Sequence, residues 1–183
     1  IRTGVYQNRN PGNLAASGDR VFHMARTKVY EHDAATGEVK RIHELPPSVD
    51  PKTHEWGYVA VRDGRLFGTA TTRAELIELN LRRRGDPGDA ATDSLFAVDA
   101  ASGKHLWKYQ GQSINFQTIA LGPDRVFFID SSVTSEQREA ILRQDKSELE
   151  RLEGAARQNA EDRLKALDVR LAVALDAATG KEL

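Results

Sequence analysis

Along most of this chain, short apolar runs are separated by breaks containing Asp, Gly and Asn, a spacing that predicts strands joined by tight turns. The clearest case is the stretch from Leu95 to Gly111, LFAVDAASGKHLWKYQG. Leu95 to Val98 reads as a strand, Asp99 to Gly103 as a turn, and His105 to Tyr109 as a returning strand. Asp99 is suited to accept N–H bonds from the turn, Ser102 does so more weakly, and Gly103 supplies the positive φ on which such a turn closes.

Weaker copies of this hairpin occur on both sides of it. VYEHDAATGEVKRI begins at Val29 and AVALDAATGKEL at Ala172. Asp33, Asp99 and Asp176 therefore correspond, as do Thr36, Ser102 and Thr179, and the glycines Gly37, Gly103 and Gly180. A second motif precedes each copy: SGDRVFHMA from Ser17, RDGRLFGTA from Arg62 and GPDRVFFID from Gly122. The repeating unit is a four-stranded antiparallel meander. Its spacing is uneven, with 13, 34 and 51 positions between the arginine and the aspartate of successive units (Arg20/Asp33, Arg65/Asp99, Arg125/Asp176). Almost all the excess falls between the second and third strands. With those insertions set aside, the units have the length of a propeller blade, roughly 40 to 50 residues. The sequence thus predicts an all-β fold, a partial β-propeller of antiparallel four-stranded blades. Residues 1–183 form one incomplete domain, with blade one at about 13–45, blade two at about 55–111 and blade three at about 114–183.

The insertions read as helical. In the first, at 72–93, Thr72-x-x-Glu75 has the form of a capping box before a helix from Ala74 to Arg84, and Arg82, Arg83 and Arg84 complement its C-terminal end. The second, at 134–170, is rich in helix formers. It must return close to its start, because it joins strands that are neighbours in a sheet. It therefore predicts a hairpin of two helices turning near Gly154 to Asn159, with Ile141, Leu142, Leu149 and Leu152 facing Leu164 and Leu167. The proline-containing stretch from His43 to Trp56 reads as the connection between blades one and two, with Tyr58 to Val61 opening blade two.

The positions from Ala97 to Trp107, AVDAASGKHLW, resemble the tryptophan-docking motif A-x-D-x-x-T-G-x-x-x-W of the pyrroloquinoline-quinone-type (PQQ-like) repeat family, the quinoprotein alcohol dehydrogenase-like propellers. Ala174 to Leu183 matches the first part of the motif. In the copy at Glu31, a glutamate stands in place of the alanine and Arg41 in place of the tryptophan. The resemblance implies that Trp107 packs one blade on the next. It also implies an extracytoplasmic, in bacteria periplasmic, location and two functions: a noncatalytic scaffold for protein binding or assembly, or part of a PQQ- and calcium-dependent dehydrogenase oxidising an alcohol or sugar.

Composition narrows the partners. With 183 residues and a net charge of −1, the chain has no bulk attraction for nucleic acid or anionic membrane, and no apolar run reaches the ~20 residues of a membrane span. The absence of cysteine excludes disulfides and thiolate metal sites. Because Ile1 is an unusual start and Leu183 falls inside a repeat, the chain is expected to be a fragment. Its partners are then the remaining blades of the same propeller and a possible protein reached through the helical hairpin.

In an up-and-down blade both insertions share a rim with the blade-to-blade connections, and the Asp-x-x-Thr/Ser-Gly turns lie on the opposite rim. A ligand site is expected on the decorated rim near the axis, where alignment on the repeated arginines places Glu55 and Asn115, Tyr58 and Thr118, with Arg73 beside them. Glu55 and Asn115 have oxygens suited to calcium. No catalytic residue and no metal centre is legible. The five histidines make no close HxH or HxxxH pair; His43, Asp50 and His54 share the proline-containing loop, where the histidines read as surface residues.

Overall fold

The computed structural model describes residues 14–84, 92–130, 151–166 and 170–183. Its strands form three antiparallel sheets. The first contains β1 (Leu14–Ser17), β2 (Arg20–Ala25), β3 (Lys28–Asp33) and β4 (Val39–Glu44), hydrogen-bonded in that order. The second contains β5 (His54–Arg62), β6 (Arg65–Thr72), β7 (Thr92–Asp99) and β8 (His105–Gln110), again in chain order. In the third, β10 (Arg125–Asp130) lies between β9 (Ile114–Leu121) and β11 (Leu171–Asp176). The fourth-strand position of this sheet holds a single bridge, Leu175 to Glu182. First strands adjoin one another, β1 beside β5 and β5 beside β9, so the sheets radiate from one hub. This is a partial β-propeller of three blades.

The cores lie between blades. Phe22, Met24 and Val29 of blade one meet Trp56, Val59, Leu66, Phe96 and Val98 of blade two. Phe67, Leu95 and Ala97 of blade two meet Val126, Phe128, Val173 and Leu175 of blade three. This explains the unbroken apolar run of β7. Blade two is covered on both sides, so Leu95 and Ala97 point to one neighbour and Phe96 and Val98 to the other. Gly68 makes room for this packing, because a Cβ there would fall inside the Trp56 ring, which stands edge-on to Phe96 with centroids 4.8 Å apart.

Several local expectations need correction. β5 begins at His54, inside the stretch read as a connection. Its entry is fixed by Asp50, whose carbonyl accepts the N–H groups of Thr53 and His54, and by Trp56 N–H donating to Arg26 O across the blade boundary at 2.8 Å. The helix α1 (Ala74–Arg84) has the expected bounds. However, Thr72 ends β6, and Arg73 holds the N-cap position, its carbonyl accepting from Leu76 and Ile77. The capping carboxylate is Glu55, reaching over from β5 to the N–H of Ala74 at 3.2 Å. In the second insertion, α2 (Gly154–Ala166) starts where the turn was expected. Gly154, at φ +57°, is its first residue, so Gly154 to Asn159 form helix and not the turn. The first arm of the expected hairpin, with Ile141, Leu142 and Leu149, and Leu167 of the second lie outside the described residues.

Candidate functional site

The repeated turns have one geometry. In each, the aspartate Oδ1 accepts the N–H and the hydroxyl of the residue three positions on: Asp33 from Thr36, Asp99 from Ser102 and Asp176 from Thr179, at 2.6 to 3.1 Å. The following glycine then donates to the aspartate carbonyl at 2.8 Å in all three, with φ of +74°, +77° and +70° at Gly37, Gly103 and Gly180. The residue after each aspartate donates to the carbonyl just before the repeated arginine: Ala34 to Asp19, Ala100 to Gly64 and Ala177 to Asp124. These bonds tie the two turns on that rim together. They also hold the three carboxyls below the usual range. The Thr36 N–H is the largest cause for Asp33, the Ser102 hydroxyl for Asp99 and the Thr179 hydroxyl for Asp176.

Two of these turns also receive a side chain from the preceding blade. The half-buried Trp107 of blade two lies over Gly180 of blade three, and its Nε1–H donates to Ala177 O at 3.1 Å. A Cβ on Gly180 would lie 2.5 Å from the indole, so only glycine fits beneath the ring. At the other boundary Arg41 occupies the tryptophan's position. Its Nη1 donates to Ser102 O at 3.1 Å, and its chain lies 3.6 Å from the place of a Gly103 Cβ. Arg41 is cross-strand partner to Glu31, as Trp107 is to Ala97. An acid–base pair thus replaces an alanine–tryptophan pair at the same register.

Glu31 is buried yet charged groups surround it. Arg20 Nη1 approaches Oε1 at 2.9 Å, while His43 Nε2 at 3.0 Å and Arg41 Nε at 3.8 Å approach Oε2. His43, read from the sequence as a surface histidine, is 2 % exposed and turned toward blade two. Burial pulls its pKa below the ordinary histidine value against the opposing pull of Glu31. An open notch of about 280 Å³ beside the cluster is lined by Asp19, Arg20, Glu31, Asp33, Lys40, Arg41 and Ala101. The two substitutions in the repeat, Glu31 and Arg41, were the sequence clue to this cluster.

On the opposite rim, four of the five candidate ligand residues fall into two groups. Glu55 and Arg73 meet at the start of α1: Glu55 caps Ala74, and Arg73 donates to Pro51 O at 3.3 Å and pairs with Glu75 at 2.7 Å. Asn115 and Thr118 meet on β9, where the Thr118 hydroxyl donates to Asn115 O at 2.7 Å and accepts the Ile129 N–H at 2.8 Å. Asn115 Oδ1 accepts the Gln117 N–H at 3.1 Å. Those bonds hold the irregularity where β9 departs from regular pairing with β10. Tyr58 stands just past the β5 bulge, and burial raises its hydroxyl pKa. The same rim contains two further pairings, each between residues far apart in the chain. His54 Nε2 lies 3.1 Å from Asp93 Oδ2, and the buried Asp130 accepts the N–H groups of Gln112 and Ser113. Among the described residues, no three His, Cys, Asp or Glu side chains converge as metal ligands. No described helix is long and apolar enough to cross a membrane.

A three-bladed arc with docked turns defines the class, and comparison with solved structures agrees with it. The chain is similar to the quinohemoprotein alcohol dehydrogenase ADHIIG from Pseudomonas putida HK5, at 13% identity over 93% of this chain and 25% of that one, with a TM-score of 0.54. It is similar to the quinohemoprotein alcohol dehydrogenase from Comamonas testosteroni, at 12% identity over 93% of this chain and 26% of that one, with a TM-score of 0.52. It is also similar to the computationally designed Ika4 protein, at 14% identity over 96% of this chain and 71% of that one, with a TM-score of 0.51. At such identities the likeness is one of fold, and the chain spans about a quarter of the length of either dehydrogenase. Neither a family model nor a curated protein matches the sequence.

Proposed function

We propose that this chain is an arc of a PQQ-like repeat propeller acting as a noncatalytic binding or assembly scaffold, outside the cytoplasm. Further blades of the same propeller would cover its open sheets, and a protein partner would reach it through the helical insertion. One observation carries the reading: the polar residues at the axis-side rim are committed to structure. Glu55 caps a helix, Arg73 anchors the connection, and Asn115 and Thr118 shape a strand. The apolar faces at the two ends support completion by neighbours, since Ile42 of blade one and Phe127 of blade three are 45 % and 43 % exposed.

The alternative is a segment of a PQQ- and calcium-dependent dehydrogenase, which the Ala97–Trp107 motif also permits. Calcium takes about six to eight oxygen ligands. Glu55 and Asn115 already accept backbone N–H groups, and the described residues bring no carboxylate cluster to them. Reconstituting the full-length protein, with its further blades, with PQQ and calcium chloride, desalting it, and recording the quinone absorbance and dye reduction with an alcohol tests the choice. The scaffold reading expects neither signal; stoichiometric quinone retention with dye reduction would overturn it.

A further inference from the structure

Blades one and two meet through ionisable groups where blades two and three meet through an indole. In a neutral His43 ring, Nε2 carries the proton that faces Glu31, which leaves Nδ1 an acceptor. Nδ1 is buried without a protein donor and lies 4.0 Å from the place of a Gly103 Cβ, so it looks across the boundary. From blade two, His105 brings a second imidazole against Phe96, and its Nδ1 is likewise buried without a partner. The two rings feel each other. Burial and then the proximity of His43 lower the His105 pKa.

We propose that this boundary is an acid-sensitive clasp: proton uptake by His43 and His105 loosens blade one from blade two while the Trp107 boundary stays closed. At neutral pH the Glu31 carboxylate already balances Arg20 on β2 and Arg41 on β4. An imidazolium at His43 adds a third cation to one buried carboxylate, and a second at His105 places like charges on the two sides of a dry contact. Lys40 at the notch is a further cation and offers no compensation, and Asp33 and Glu38 are already paired with it. Asp33 and Asp99 are held low by their turns and stay ionised through the histidine range, and Asp19 at the mouth is solvent-exposed. Both imidazoles are depressed in the closed form, so the open form takes the proton first. The clasp is then intact above the ordinary histidine range and weakens as pH falls through it.

Amide exchange followed by mass spectrometry on the whole chain, corrected for intrinsic rates and compared at about pH 7.5 and about pH 5, tests this. Protection in β4 and the Asp99–Lys104 turn should fall about tenfold or more relative to the Asp176–Lys181 turn, which serves as the internal reference. In His43→Gln/His105→Gln, which keeps side-chain amides in place but cannot gain a proton, that relative fall should disappear. Equal protection loss at both boundaries, no loss at either, or an undiminished loss in the double variant would overturn the proposal. Should the variant fail to fold, histidine C2–H titrations of the unmodified chain decide. Protection loss tracking the His43 and His105 curves supports the clasp, and loss confined to the carboxylate range refutes it.

Discussion

Three equivalent glycines provide an internal calibration of how blades dock. Gly37, Gly103 and Gly180 close the same turn with φ within a few degrees of each other, but the space around them differs. Nothing lies within 4 Å of a Cβ on Gly37; Arg41 lies 3.6 Å from one on Gly103; the Trp107 ring lies 2.5 Å from one on Gly180. Replacing each by alanine should therefore cost the same left-handed backbone penalty, about 1 to 2 kcal/mol. At Gly103 the added methyl makes ordinary contact, so the total stays there. At Gly180 it must displace the indole and strain its bond to Ala177 O, which adds about 1 to 3 kcal/mol of overpacking. The expected order is Gly37 ≈ Gly103 < Gly180, with about 2 to 5 kcal/mol for the last. Urea unfolding with a shared m-value measures it, and Trp107→Ala made together with Gly180→Ala should remove most of the excess. Equal losses at all three glycines, or an excess that persists without the indole, would refute the docking geometry.

Other consequences are direct. Glu55→Ala should cost about 1 kcal/mol as a lost helix cap and speed exchange of the amides from Ala74 to Ile77, leaving the Asp-turn amides untouched. Gly68→Ala should destabilise by about 1 to 3 kcal/mol and shift Trp56 emission to the red, because the ring loses its buried seat; an unchanged spectrum would argue against that packing. Asp33, Asp99 and Asp176 have depressed carboxyl pKa values, so their contribution is present above the ordinary carboxylate range and lost as pH falls through the folded-state values. Urea midpoints measured down to about pH 2.5 should therefore fall with acid, and Asp176→Asn should flatten part of that slope.

What could be read from the chain was local. The Asp-x-x-Thr/Ser-Gly turn is closed by bonds reaching three or four residues, so its chemistry sits in consecutive letters. The alternation of β2 and the double-sided run of β7 likewise follow from strand geometry. At the blade boundary the repeat marks Arg41 as a departure but not what it meets, because its partner Ser102 is 61 residues away. His43 was misread for a related reason. The strand VKRIHE is polar on both faces, and only the arrival of blade two buries one member of it. The α1 cap was assigned to Thr72 because a capping box is a local pattern, whereas the actual carboxylate comes from the neighbouring strand. Counting back from the repeated arginines pairs Glu55 with Asn115, but Glu55 lies opposite Thr71, six positions after Arg65, and Asn115 opposite Ile129, four after Arg125; the count cannot show such bulges, nor that bulges and caps absorb their polar atoms.

Blades that radiate from a hub and dock turn-on-ring leave a specific mark in solution. In an NMR spectrum of the labelled chain, the Gly180 Hα resonances should be shifted upfield by the Trp107 ring relative to those of Gly37. Trp107 Hε1 should show cross-relaxation with Ala177 and Gly180. Gly180 shifts matching those of Gly37, with no such cross-peaks, would contradict the arrangement of the blades itself.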